Sequence, residues 1–262
     1  MGKQLKTLYI IWYREVLIYL RNAVKFFTSI FLPIIILIFF GTGLKTMFPV
    51  STLNYDFVQF FFPGILGLSI SIMAVSSTIS IVWDREFGFL KEILVSPISR
   101  STIILGKILG ATTTALIQGA LILLIIPYLG LDFSKFLFIK AMLVIFLISY
   151  GMASLGIFLV SRLKKIENFS IISQLIFAPM AFLSGAFFPL SNAPEWMARI
   201  AFYNPLNYGI DALRWVILAD SLPKEEILLI TSHSLPLSIF ILLGFNIVIT
   251  FLSTRVFNKS VY

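Results

Sequence analysis

One histidine, no cysteine and 12 acidic residues set narrow limits on the chemistry open to this 262-residue chain. His233 has no carboxylate near it in sequence, so a capping or surface role fits it better than acid–base catalysis. Without cysteine there are no disulfides and no thiolate metal sites. Gly106-Lys107 is followed by Ile108, with no glycine at the upstream position a phosphate loop needs, so that route to ATP is closed. The densest remaining run of functional groups is Trp83 to Lys107. There Asp84, Arg85, Glu86, Lys91, Glu92 and Arg100 lie on either side of Phe87, Leu90 and Leu94. Those three apolar residues follow i, i+3, i+7 spacing and predict one stripe on a short helix. Asp84 is placed to cap its start, and Ser96-Pro97 to end it, because the residue before proline avoids the α region. Such a stripe rests on lipid or docks into a groove of another protein, and docking is the reading favoured here.

The elements around this island are apolar. Hydrophobic residues make up 59% of the chain and charged residues only 12%, about half the charged share of a soluble domain. With 27 Phe and several charge-free runs beyond twenty residues, the composition specifies an all-α integral membrane protein, one transmembrane unit over 1–262. The net charge of +8 is spread over loops, which fits membrane orientation and not nucleic-acid binding.

Six charge-free windows predict six transmembrane helices: 26–44, 57–83, 108–131, 141–161, 168–194 and 227–254, the last entering the membrane near Leu235. Segment 1–25 carries Lys3, Thr7, Arg14, Arg21 and Lys25 opposite Leu5, Leu8, Trp12, Val16 and Leu20. It predicts an interfacial helix with its basic face toward anionic headgroups and no signal-peptide cleavage site. Segments 1–25, 83–107, 161–168 and 254–262 hold 14 of the 20 Lys and Arg, and the opposite connections hold 6. That asymmetry puts both termini and the island in the cytoplasm. Between 191 and 219, Ser191-Asn192-Ala193-Pro194 and Asn204-Pro205 each predict a cap followed by proline, opening two half-helices on or in the outer leaflet. Asp211 and Arg214 are spaced to pair on the surface of the second.

The windows contain no acidic or basic residue, whereas ion-coupled carriers place such groups at mid-membrane. Ser69, Met73, Ser76 and Ser80 share one face of the second window. Packing through small residues accounts for most of such a pattern, as it does for Gly106-x-x-x-Gly110; a lining for a translocation path is the sharper reading. Outer aromatics such as Trp196, Phe202 and Tyr203 fit anchoring at headgroup level better than contact with sugars.

Two blocks resemble the type-2 ATP-binding cassette exporter permeases, in the branch similar to daunorubicin-resistance permeases. They are residues 60–109, containing WDREFGFLKEILVSPISRS, and residues 183–215, LSGAFFPLSNAPEWMARIAFYNPLNYGIDALRW. The resemblance implies the transmembrane subunit of an exporter for amphiphilic drugs, lipids or glycan-like substrates, in a prokaryotic plasma membrane. It implies a second permease copy, most simply a homodimer, and a separate nucleotide-binding ATPase subunit that holds ATP and Mg, with no cofactor in this chain. It makes Asp84–Val95 a coupling helix, with Asp84, Arg85, Glu86, Phe87, Leu90, Lys91 and Leu94 at the ATPase. The 191–219 helices become an outer gate, with Pro189, Trp196, Phe202, Tyr203, Asn204 and Pro205 at the mouth. A self-sufficient channel or carrier, and a lipid-modifying transferase using His233, are the competing functions.

Overall fold

The computed structural model describes residues 2–47, 57–88, 99–132, 134–163, 165–190 and 193–260. Leu90, Lys91 and Leu94 of the expected docking helix therefore lie outside the described residues. All regular structure among the described residues is helical. In chain order the helices are α1 (Gly2–Arg21), α2 (Ala23–Met47), α3 (Phe57–Ser77), α4 (Ser80–Glu86), α5 (Arg100–Leu123) and α6 (Lys135–Val160). They continue with α7 (Ile166–Phe182), α8 (Glu195–Ala201), α9 (Pro205–Leu218), α10 (Lys224–Ile230) and α11 (Leu235–Ser260).

Local chemistry sets several starts. The Ser99 and Ser134 side chains accept from the backbone N–H groups of Thr102 (3.2 Å) and Leu137 (3.0 Å), capping α5 and α6. Asn204 caps α9 by accepting from Leu206 N–H at 3.1 Å, and Pro205 follows at the first helical position. Pro194 itself occupies the cap position of α8, one place earlier than the sequence suggested.

Among the described residues, five stretches are long and apolar enough to cross a membrane: 23–41, 57–86, 100–123, 135–160 and 235–259. The second joins α3 and α4 into a rod of 30 residues. The expected crossing at 168–194 is instead the 17-residue α7. At 1.5 Å per residue it reaches roughly 26 Å, the short end of the ~17–25 residues with which helices cross the hydrocarbon core. It stops because the chain turns at Leu183–Gly185, where Gly185 adopts φ +70°. The crossing expected at 108–131 also starts earlier, at Arg100, and ends at Leu123. Arg100 and Lys107 lie inside α5, because partners elsewhere in the bundle receive their charges.

The core sits on α3. In an 18-residue stretch of its span 72% of residues are buried, against 11% in α2 and 22% in α11, so α3 is central and the other two are peripheral. Around it stand α5 and α6, with α9 wedged among α3, α6 and α11. Close approach is allowed by glycine: a Cβ on Gly67 would meet Ile210 at 2.8 Å, and one on Gly209 would meet Ile148 at 2.8 Å. So α9 is a buried helix and not a surface one. Asp211 and Arg214, expected on its surface, are both buried.

Candidate functional site: a charged root, a side cleft and a buried clasp

Helix α1 does not lie on the bundle as a free amphipath. Leu8, Ile11, Trp12 and Glu15 form one face against α5, Trp12 Nε1 donates to Thr113 Oγ1 at 2.9 Å, and Tyr19 bonds Ser29 of α2. The Gly106/Gly110 pair receives α1: added Cβ atoms would stand 3.0 Å from Ile11 and 2.5 Å from Glu15. This register carries Glu15 into the interior, where Lys107 Nζ lies 2.7 Å from its Oε1.

Around that contact four charges close on each other. Lys107 Nζ and Arg14 Nη2 each stand 2.5 Å from Asp84 Oδ2, and Arg14 Nη2 is 3.3 Å from Glu15 Oε1. Lys107 Nζ also donates to Ser80 Oγ at 3.0 Å. Two cations and two carboxylates leave the cluster neutral, and Lys107 is only 2% exposed. Burial alone would lower the pKa of the Arg14 guanidinium, but Asp84 and then Glu15 outweigh it, so its pKa is raised. The cluster pins α1, α4 and α5 together. Arg14, expected to face headgroups, points into the bundle because Asp84 is there.

Asp84 is therefore no helix cap; it lies inside α4, which ends at Glu86. Arg85, expected on the polar rim, is half-buried and anchored to the bundle. Its guanidinium donates to the carbonyls of Leu163 (2.6 Å) and Ser161 (3.2 Å) beyond the C-terminus of α6. Arg100 Nη1 likewise donates to the Asn258 carbonyl near the end of α11. Glu86 and Phe87 face solvent, Phe87 at 81% exposure. The chain then turns at Gly88, φ +78°, so Asp84–Val95 is not one uninterrupted helix.

Of the four residues proposed for a path, Ser69, Met73 and Ser76 line one lateral cleft, with a volume of ≈ 390 Å³ between α2 and α3. It adjoins a second of ≈ 480 Å³ between α3 and α7, sharing Leu68, Ile72, Ser76 and Ala181. Ser80 is drawn away into the charged root. Ser69 and Ser76 hydroxyls donate to the carbonyls of Leu66 (2.9 Å) and Met73 (3.1 Å), so both protons are satisfied within α3.

At the other end of the bundle, Asp211 Oδ2 accepts from the N–H groups of Ser232 (3.1 Å) and His233 (3.0 Å) and stands 3.0 Å from His233 Nδ1. Arg214 donates to the carbonyls of Gly185 (2.5 Å) and Ile230 (3.2 Å) and stacks over Phe60 at 4.1 Å. His233, expected to lack a carboxylate, has one supplied by tertiary folding. Asn204 is buried and donates to the Met180 and Leu183 carbonyls, tying α9 to the end of α7. Trp196, Phe202 and Tyr203 are exposed, and Pro189 and Pro205 are half-buried.

The bundle thus joins apolar helices through an ion-paired cluster of α1, α4 and α5 at one end and a buried short helix, α9, at the other. The sequence profile of the ABC-2 type transporter family matches residues 6–218. The chain belongs to that family. It is similar to a putative transport permease, ycf38, of Cyanophora paradoxa, 31% identical over 202 residues, covering 75% of this chain and 69% of the relative. The ycf38 permease of Porphyra purpurea is 30% identical over 202 residues, with 75% and 68% covered. A probable multidrug ABC transporter permease of Escherichia coli, YbhR, is 30% identical over 178 residues, spanning 64% of this chain and 46% of the relative. The chain is thus a multi-pass membrane protein and a transport permease subunit of an ABC transporter, not an enzyme. The charged root and the buried clasp both fall within the matched residues, apart from the Ile230–His233 side of the clasp.

Proposed function

We propose that this permease is the transmembrane subunit of an exporter driven by a separate nucleotide-binding subunit, which binds and hydrolyses Mg-ATP. It forms one transmembrane unit over 1–262 and works as a homodimer in a prokaryotic plasma membrane, with both termini cytoplasmic. Its cargo is amphiphilic: a drug, a lipid or a lipid-linked glycan. YbhR carries the multidrug description in its own name, and that supports the same class of cargo here.

The observation that carries this reading is the length of the α3–α4 rod. Thirty residues make about 45 Å, some 15 Å more than the hydrocarbon core, so the α4 end projects into water. Its tip presents Phe87, and the chain runs on to Leu90 and Leu94, which we assign to the ATPase contact with Asp84, Arg85, Glu86 and Lys91 around its base. Closure of the ATPase pair moves that tip. Through Asp84, Arg14 and Lys107 the displacement passes to α1 and α5. Cargo follows Ser69, Met73 and Ser76 toward a gate at Pro189, Trp196, Phe202, Tyr203, Asn204 and Pro205. Phe87→Asp or Leu90→Asp should insert normally, lose co-purification with the cognate ATPase subunit by about tenfold, and lose transport. Undiminished co-purification would end the docking assignment.

A further inference from the structure

The lateral cleft has a polar mouth that the export reading leaves unexplained. Its walls are apolar: Leu32 and Ile36 from α2, Ile65 and Ile72 from α3, and Phe187. One charged side chain, Lys25, lines it, and no acidic residue does among the described residues. The Lys25 ammonium makes no ion pair within 4 Å and no side-chain hydrogen bond among the described residues, although the Glu15 carboxylate of the charged root acts on it from a greater distance. One turn along α2, the Ser29 carbonyl accepts from Gln118 Nε2 at 2.7 Å. That bond fixes the amide: with nitrogen committed to Ser29, the other end must be oxygen, which only accepts. Gln118 is 2% exposed, lines the cleft, and its Oε1 has no hydrogen-bond partner among the described residues. A buried carbonyl left unpaired is costly, so this is a group shaped for a ligand donor.

Depth fits a headgroup. Thr114 pairs with Ser77 at 3.1 Å, where α3 ends and the projecting α4 begins, and Gln118 lies one turn further into the bundle. Lys25 is near the start of α2.

We propose that the cleft between α2 and α3 binds an amphiphile whose headgroup combines an anionic group, held by Lys25, with a hydroxyl or N–H donor, given to Gln118 Oε1. Its apolar chain lies along Leu32, Ile36 and Ile72. This deepens the export reading by naming the cargo class, and rests on it for the claim that the bound lipid is moved.

The test uses the purified full-length permease in nanodiscs, without the ATPase. Binding is measured for fluorescent phosphatidylglycerol, phosphatidylmethanol (anionic, no hydroxyl) and phosphatidylcholine. The wild type should prefer phosphatidylglycerol to phosphatidylcholine by about tenfold, the order a charge-assisted hydrogen bond provides. Lys25→Gln should abolish that preference, and Lys25→Arg should keep it. Lys165→Gln, an exposed control, should change nothing. Gln118→Leu should keep the preference for anions but erase that for phosphatidylglycerol over phosphatidylmethanol. Unchanged selectivity in Lys25→Gln overturns the proposal, as does displacement by millimolar inorganic phosphate, which would mark a soluble-anion site. For the wild type, failure to co-purify with the ATPase subunit despite clear lipid selectivity would sink the export reading alone; co-purification with no selectivity for phosphatidylglycerol over phosphatidylcholine would sink only this one.

Discussion

Two buried charge clusters stand at opposite ends of the bundle and are satisfied in different ways. At the root, four side chains from α1, α4 and α5 neutralise one another, and Arg14 and Asp84 keep 31% and 13% of their surface in water. At the clasp, Asp211 and Arg214 belong to one helix, stand 3.8 Å apart and are each 1% exposed. Backbone groups of Gly185, Ile230, Ser232 and His233 supply most of their other bonds. Side chains reaching between helices can re-pair when the helices shift, with water nearby to cover the exchange. Charges held by backbone in a dry site cannot move without breaking the fold. The root is built for motion, and the clasp for holding α9 in place.

The clasp should show the largest loss of stability. Arg214→Ala removes the donors to Gly185 and Ile230 and leaves Asp211 buried beside the space, at about 3–5 kcal/mol. Arg214→Lys should recover only part of this, since a point ammonium cannot serve both carbonyls and stack on Phe60. Thermal unfolding of the purified permease in detergent reads both. A melting temperature within error of wild type for Arg214→Ala would erase the contrast between the ends.

At the root the loss should be smaller and the functional effect larger. Lys107→Met leaves Glu15 and Asp84 sharing Arg14, at roughly 2–3 kcal/mol, because part of the cluster is hydrated. Glu15→Leu with Lys107→Met should cost less than the two singles added, with a coupling of about 1–2 kcal/mol. Transport with the cognate ATPase should fall further in these variants than in an equally destabilised clasp variant. If both sets lose transport only in proportion to stability, the root is simply structural. Gly110→Val tests the same joint sterically: a Cβ there meets Glu15 Cβ at 2.5 Å, and α1 must lift at about 1–3 kcal/mol.

This contrast marks what one-dimensional patterns carry. The membrane class, the Asn204-Pro205 start of α9 and the entry of the last helix near Leu235 were all written in hydropathy and cap chemistry. Those are local signals. Glu15 and Lys107 are 92 positions apart, and helical periodicity assigns a residue to a face without naming what that face meets. Windows drawn to exclude charge also hid Lys107 and Arg100, which are inside α5 because they are neutralised there. A usable clue existed: Glu15 is the one acidic residue before Asp56, set in an apolar and basic helix. Burial of α9 was hidden for a related reason, since Asp211 and Arg214 look like surface residues until backbone partners 16 to 29 positions away are known. The extent of the docking stripe past Gly88 was legible only as spacing.

His233 offers the finest division between holding and chemistry. Its ring packs on Tyr208 at 4.2 Å between centroids and places Nδ1 against Asp211, an arrangement that would also orient a catalytic imidazole. Yet Asp211 Oδ2 already accepts two backbone N–H groups, and neither depends on the ring. His233→Ala should therefore lower stability by only about 0.5–1.5 kcal/mol, the worth of one hydrogen bond, and leave transport intact. His233→Gln should lie closer to wild type, because a neutral amide can still donate toward the carboxylate. Complete loss of transport in His233→Ala, with a normal melting temperature, would instead give the clasp a chemical role and remove its standing as the static end of the pair.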